Sequence, residues 1–472
     1  MRSLVWFRGK DLRLTDHGPL HHGLSQGEVI LLFVIDPFFF SAQAAARMPH
    51  RMQFLLASVR ALQKNVADRG GELLLTRGSA VEEIPRLAAL WRVDQVLAQR
   101  WSEPFGRQRD GMIKHRLHVP LRLFEGETLL PPESVRTQGG TAFSVYTPFA
   151  QAARNLVGQL AQLPAPRRLP LTPADVDRNA LLNHPPALSD LQLEENVRVQ
   201  SGGEAQARQR LKSFLSVLDT YQDQRDQLGQ TGTSRISADL KFGTLSVREV
   251  YRKVQAAPPS PSRARFLSQL LWREFAYACL WDRPELLFRP FRRDFERFPW
   301  SRDEGLLDAW ATGHTGYPIV DAAARQLLSE GYVHNRARMI SASFLTKHLL
   351  VHYRCGEAHY LRHLTDGDWA INNLGWQWSA GCGVDAQPYF RVFNPVTQGA
   401  KFDAQGTYVR KYLPELSQLP NKYIHAPWLA PSSVLSAQGV RLGANYPEPI
   451  VEHKEARARF LSVASSHLKR RE

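Results

Sequence analysis

The chain has 472 residues, with 60 lysines and arginines against 45 aspartates and glutamates, a formal charge of +15 and a sequence pI near 9.9. Its 43% hydrophobic and 22% charged residues exclude a disordered chain and allow more than one hydrophobic core, and the positive balance makes a polyanion a natural partner. No apolar run reaches the roughly 18 residues of a membrane span, and Cys279, Cys355 and Cys382 form no CxxC pair, which excludes a disulfide framework and a cysteine zinc site.

The opening Met1-Arg2-Ser3-Leu4-Val5-Trp6-Phe7-Arg8 lacks the long apolar region of a signal peptide, so a cytoplasmic protein with no membrane association is expected. Residues 1–130 alternate short apolar runs with amphipathic stretches, which predicts an α/β domain with a mostly parallel, Rossmann-like sheet. Strands are expected at 4–7, 29–35, 72–76, 95–98 and 121–124, and helices at 51–69 and 81–91. Residues 131–203, rich in proline and polar side chains, predict a long connector laid over the surface. From 204 to 472 the period becomes helical and predicts an all-α domain, with helices at 208–228, 263–281, 319–330, 333–353 and 357–364.

Several constellations in the helical half carry chemistry. Thr231-Gly232-Thr233-Ser234-Arg235-Ile236-Ser237, after Tyr221 and before a helix, offers backbone N–H groups and hydroxyls to a phosphate, although a plain helix cap explains it equally well. Gln269, Trp272 and Arg273 share one stretch of helix, where an amide, an indole and a guanidinium can bond to and stack on a nucleobase; a core tryptophan beside an ion pair is the plainer alternative. The segments at 331–339 and 366–378 combine arginines, acids, amides and paired tryptophans. Such polarity is costly to bury unless the groups pair or meet a polar ligand, and an Arg338 to Asp366 ion pair flanking a cofactor is expected. No GxxxxGK[ST] loop or HExxH helix occurs, and His348 with His352 and His359 with His363 lack acidic or cysteine ligands that would complete a metal site.

Trp272-Arg273-Glu274-Phe275, Thr315-Gly316-Tyr317-Pro318, His334-Asn335-Arg336-Ala337-Arg338-Met339, Asp366-Gly367-Asp368, Asn372-Asn373-Leu374-Gly375-Trp376-Gln377-Trp378 and Asp385-Ala386-Gln387-Pro388-Tyr389 together resemble the signature of class I DNA photolyases of the photolyase/cryptochrome family, which act on cyclobutane pyrimidine dimers. That resemblance runs from Val5-Trp6-Phe7-Arg8 to His453-Lys454. It implies an α/β antenna-type domain joined by a linker to a helical domain holding one FAD per chain. It also implies light-driven electron transfer from reduced FAD to a dimer flipped out of UV-damaged DNA. Tyr221, Thr233, Ser234, Arg235, Ile236, Ser237 and Arg273 would then hold the phosphate side of FAD, and Asn335, Arg338, Asp366, Asp368 and Asn372 its flavin and ribose. Trp272 and Trp378 would wall the dimer beside Met339, with Gln269 at its polar edge, while Arg225, Arg336, Arg391 and Lys401 would meet DNA phosphates. A monomer needing no protein partner is expected.

The sequence departs from the family pattern in three places. Gln269 stands where dimer-repairing members carry glutamate; (6-4) photolyases carry glutamine there, but their second active-site histidine would fall at Met339. Trp376 and Trp300 match the ends of the photoreduction chain while the middle position is Tyr353, with rerouting through Trp369 as one option. Glu103-Pro104-Phe105-Gly106-Arg107 lacks the glutamate of folate-binding members, and Trp101 is expected to fill part of the antenna pocket, which leaves folate, deazaflavin or flavin open as a second chromophore. The alternative reading is a cryptochrome-like photoreceptor; no long extension follows Lys469-Arg470-Arg471-Glu472 to serve as a signalling tail.

Overall fold

The computed structural model describes residues 1–158, 160 and 163–468; Lys469 to Glu472, named above, lie outside the described residues. Contacts divide the chain into two compact units, Met1–Asp219 with Ser234–Pro284, and Thr220–Thr233 with Glu285–Glu472.

In the first unit the apolar runs become the strands β1 (Arg2–Phe7), β2 (Glu28–Ile35), β3 (Leu73–Arg77), β4 (Gln95–Gln99) and β5 (Leu121–Phe124), each where the sequence predicts one. A two-residue strand within the connector, β6 (Leu181–Leu182), completes a sheet of order β5-β4-β1-β2-β3-β6. All pairings are parallel except β3 with β6. Both faces are buried, as a parallel sheet requires. Val5, Phe7, Leu31 and Phe33 face one apolar cluster, and Leu4, Trp6, Ile30 and Leu32 face another. The unit's main helices are α1 (Gly18–Gln26), α2 (Pro49–Ala67), α3 (Ala80–Leu90), α4 (Pro104–Arg116), α5 (Tyr146–Leu156), α6 (Glu204–Leu215), α7 (Ser237–Phe242), α8 (Val247–Ala256) and α9 (Pro261–Asp282). The start of α9 is fixed by Ser260, whose side chain accepts from the Arg263 N–H, and by Pro261 in the first turn, where its missing N–H costs nothing.

The second unit packs α10 (Glu304–Thr312), α11 (Pro318–Glu330), α12 (Asn335–Ser343), α13 (Tyr353–His363), α14 (Trp369–Ala380), α15 (Pro395–Phe402) and α16 (His453–His467) around one apolar core. Two of the long helices expected from periodicity are broken. The 208–228 segment ends as a helix at Leu215, where the Ser216 hydroxyl turns back to the Ser213 carbonyl, and a short separate helix follows at Tyr221–Gln224. The 333–353 segment runs through α12 into a π-helical turn, Phe344–His348, and stops where Leu350 takes a left-handed φ of 56°. Tyr353 therefore opens the next helix and does not close the previous one, with His352 accepting from the Arg354 N–H as its cap.

Candidate cofactor and nucleic-acid site

In the second unit, Gly331 ends α11 in a left-handed conformation at φ 62°, and the loop behind it runs beside the loop before α14, joined by Thr365 N–H donating to the Gly331 carbonyl at 2.8 Å. This places the starts of two helices side by side. His334 caps α12 by accepting from the Arg336 N–H, and Asp368 caps α14 by accepting from the N–H groups of Ala370 and Ile371. Between them lies the expected ion pair: Arg338 Nη2 donates to both oxygens of Asp366, at 2.8 and 3.1 Å, while its Nε donates to the Val333 carbonyl at 2.7 Å. Asn372, one turn into α14, donates to the Glu357 carbonyl at 3.0 Å.

These groups keep hydrogen-bonding capacity in reserve. Arg338 Nη1 makes no hydrogen bond among the described residues, and Asn335, exposed at the start of α12, has only a 3.7 Å contact with the Met339 sulfur. His334 is 5% exposed and burial pushes its pKa down to about 4, so the ring is neutral. Because Nδ1 accepts from Arg336, the proton sits on Nε2, a buried donor with no partner among the described residues. An orphaned donor of this kind costs roughly 1–3 kcal/mol unless a ligand or water accepts from it. Together with that donor, a carboxylate, a guanidinium and two amides carried on or beside the first turns of these two helices supply the mixed donors and acceptors that the edges of a flavin nucleotide require.

The remaining expected residues fall within both units. In the second, Tyr221 is buried with the Arg225 guanidinium 5.4 Å from its ring centroid, and Thr233 is half-buried. In the first, Ser234 and Arg235 are half-buried, Arg235 in a left-handed conformation at φ 54°, Ile236 is buried, and Ser237 opens α7. Arg273 is buried on α9 between Glu274 Oε1 at 3.3 Å and the Tyr277 ring at 4.6 Å. Gln269 and Trp272 are half-buried on the same helix. One face of the Trp272 indole is covered by Tyr146 of α5, stacked at 3.8 Å with 7° between the planes, and the Tyr146 hydroxyl donates to the Ser268 carbonyl at 2.8 Å. Tyr146 lies in the connector of the sequence reading, where proline-rich composition hid it.

On α14, Trp376 and Trp378 lie about 200° apart around the helix axis. Trp376 enters the core and Trp378 remains half-buried, as does Met339 on α12. Trp376 packs on Gly356 of α13, where any Cβ would collide with the indole, and its ring partners are Trp310 and Tyr360. Tyr353 is 1% exposed and its ring lies 6.5 Å from that of Trp300. Its hydroxyl has no partner among the described residues, and burial pushes its pKa well above the ordinary phenol value. Trp369, the other option for a relay, is 44% exposed on the first turn of α14.

Arg225 and Arg336 meet one carboxylate, Asp226, at 3.7 and 3.0 Å, and Arg336 also lies 4.2 Å over the Phe402 ring. Lys401 is exposed beside that ring, at 5.3 Å. Arg391 is exposed, and its carbonyl accepts from the buried Lys347 Nζ at 2.8 Å, a lysine whose pKa burial pushes down to about 7. Lys347 sits in the π-helical turn and was missed in the sequence because it carries no motif.

Comparison with known proteins gives a consistent result. The family model for the DNA photolyase domain matches residues 3–167, and that for the FAD binding domain of DNA photolyase matches 266–466. A deoxyribodipyrimidine photo-lyase of Agrobacterium fabrum is 37% identical over 474 residues, covering 98% of this chain and 97% of the relative. A bacterial class III photolyase from Agrobacterium tumefaciens superposes with a TM-score of 0.90 at 36% identity, covering 98% of this chain and 97% of the other. A cryptochrome from Synechocystis superposes with a TM-score of 0.89 at 30% identity, covering 98% and 99%. No helix among the described residues is long and apolar enough to cross a membrane.

Proposed function

The chain belongs to the DNA photolyase family, and from that premise we propose that it uses bound FAD and light to split cyclobutane pyrimidine dimers in UV-damaged DNA. The observation that carries this reading is the Trp272 indole, which is stacked on one side by Tyr146 and left half-buried beside Gln269 on a single helix. A tryptophan supported in this way offers a flat, pre-oriented surface to an extruded base, at little entropic cost.

When bound and reduced, FAD would supply light-driven one-electron chemistry to the dimer, with no net change in its oxidation state. The chain's own groups position and insulate that exchange. In the second unit, Asn335, Arg338, Asp366, Asp368 and Asn372 hold the flavin and ribose, with the ion pair keeping the guanidinium in place. By resemblance to the family, Tyr221, Thr233, Ser234, Arg235, Ile236, Ser237 and Arg273 are the residues assigned to the phosphate side. Trp272 and Trp378 wall the lesion with Met339 beside them, and the Gln269 amide donates to a carbonyl of the pyrimidine pair. Arg225, Arg336, Arg391 and Lys401 meet phosphates, with Lys347 holding the backbone of Arg391. Trp376 and Trp300 are assigned to the ends of light-driven reduction of the cofactor, and the buried, unpartnered hydroxyl of Tyr353 makes it a poor donor at the middle position.

The proposed organisation is an antenna-type domain at 1–130, a connector at 131–203 and a cofactor domain at 204–472, in a cytoplasmic monomer. The test is direct: protein, reductant and dimer-containing DNA are incubated in light and in darkness. Dimer loss in light alone is expected. Equal dimer content in both defeats repair and leaves the photoreceptor reading.

A further inference from the structure

Helices α5 and α8 and the first turns of α9, all in the first unit, carry Arg154, Arg248, Arg252, Lys253, Arg263 and Arg265 against one carboxylate, Glu249. That carboxylate already has its partners, Lys253 at 2.9 Å and Arg208 at 3.5 Å. Arg154 and Arg265 differ from most of the chain's arginines. Both are exposed, and neither makes an ion pair or hydrogen bond among the described residues. The neighbouring acid, Asp219, whose carbonyl accepts from Ser262 of α9, forms no ion pair with either.

Their placement relative to Trp272 is set by helix geometry. Arg265, Ser268 with Gln269, and Trp272 recur at three and four spacing along one face of α9. The Tyr146 hydroxyl donates to the carbonyl of Ser268, which lies about one turn from Arg265 and one turn from Trp272, while its ring stacks on the indole. Arg154 lies two turns along α5 from Tyr146, and both arginines act electrostatically on its phenol. Seven residues of helix place Arg265 roughly 10 Å from Trp272 along the axis. That is about three nucleotide steps of a B-form strand. Free guanidiniums at this separation from a stacking surface match phosphates flanking an extruded pair, and an unpaired arginine pays no ion pair to engage them.

We propose that Arg154 and Arg265 hold the phosphate backbone of double-stranded DNA next to the pyrimidine pair stacked on Trp272. The proposal rests on the reading of Trp272 given above. Because the contacts are to phosphate, they carry no information about the lesion and act equally on damaged and undamaged duplex.

The test measures affinity for one short duplex, with and without a single thymine cyclobutane dimer, from 50 to 200 mM KCl. The Arg154→Ala/Arg265→Ala variant is expected to weaken binding to both duplexes by a similar factor, roughly tenfold near 0.1 M salt, and to lower the slope of log affinity against log salt by about 2. Arg154→Lys/Arg265→Lys, which keeps both charges, is expected to recover most of the slope. Both side chains are exposed, so the thermal melt and flavin content should match the parent protein. Unchanged slope with affinities within about twofold overturns the proposal. So does a loss confined to the dimer duplex, which would assign the arginines to lesion recognition. Dimer splitting at saturating DNA is read in parallel: its absence in the parent protein would sink the repair reading while the salt slope still reports on the arginines.

Discussion

The indole of Trp376 meets Trp310 edge to face, with ring centroids 5.8 Å apart and planes at 77°, and its ring contacts among the described residues do not include Tyr353. Removing an electron from a phenol is easy only if its proton can leave, and the buried Tyr353 hydroxyl has no acceptor within reach among those residues. Trp310 needs no such release, and its Nε1 is held by the Ser341 carbonyl at 3.1 Å. With a thiol as the terminal electron donor, Tyr353→Phe should change light-driven reduction of bound FAD by less than about twofold, and Trp310→Phe should slow it by more than about fivefold. Tyr353→Trp should accelerate it. Transient absorption would identify the radical formed, and a tyrosyl signal in the parent protein would sink this account. Flavin content and melting temperature show whether the Trp310 variant is folded, since shrinking a buried indole costs stability of its own.

Gln269 shares a face of α9 with Trp272 and brings an amide where a carboxyl group stands in the family pattern. An amide donates only a neutral hydrogen bond, whereas a protonated carboxyl group can give its proton to a carbonyl whose charge grows as the lesion is reduced, and an ionised one can accept a charge-assisted bond from a pyrimidine N–H. Gln269→Glu should therefore raise the yield of dimer splitting per absorbed photon, roughly threefold to tenfold if it recovers about 1 kcal/mol at the barrier. Yield is measured under limiting light with dimer DNA in excess. An unchanged or lower yield would show that the glutamine is no handicap in this site.

How much of this was legible in the sequence depends on the range of the interaction. The five principal strands and the Arg338 to Asp366 pair follow from local apolar pattern and the cost of burying charge, and the structure contains them. The broken helices escaped because the Ser216 hydroxyl bond to the Ser213 carbonyl and the left-handed backbone of Leu350 are local features that apolar spacing does not encode. Tyr146 and Trp310 escaped for a different reason. Each matters through a ring contact with a residue more than 60 positions away, and one lies in a segment whose prolines disguise a helix. The glycine beside Trp376 is similar, since only the fold reveals that Gly356 is where the indole needs room.

Glu357 gives a pH dependence whose sign can be worked out. It is 6% exposed, accepts from Asn373 Nδ2 at 2.9 Å, and burial pushes its pKa up to about 7, from an ordinary 4.5. The folded chain thus keeps a proton that the unfolded chain releases as pH rises above 4.5. Stability from this group is present at low pH, is lost as pH rises through the folded value near 7, and stays lost above it. The loss is on the order of 3 kcal/mol. Glu357→Gln keeps an oxygen for Asn373 and has nothing to ionise. It should be more stable than the parent at pH 8 and nearly equal at pH 5, as read by urea unfolding at both values. A variant destabilised equally at both would mean that packing, and not charge, governs this position.

Trp101 decides whether the first unit can carry a second chromophore. It follows β4, beside the carboxyl end of β1, where neighbouring strands β2 and β4 lie on opposite sides; doubly wound sheets place ligands at such a crevice. Here the indole is 7% exposed, with Arg109 4.4 Å, Arg8 5.3 Å and Lys10 5.4 Å from the ring. Gly106 admits it, because a Cβ at that position would fall 2.6 Å from the Trp101 Cβ. Three cations around one buried ring hold it in place, each contact contributing about 0.5–2 kcal/mol, so the plug is rigid. The purified protein should accordingly absorb as a chain with one flavin and no second pigment. Trp101→Ala should cost roughly 3–5 kcal/mol of stability and open a cavity, flanked by the guanidiniums of Arg8 and Arg109, that takes up added FMN with quenching of its fluorescence. A second chromophore bound stoichiometrically to the unaltered protein would show that the ligand seat lies elsewhere in this unit and that Trp101 is only part of its floor.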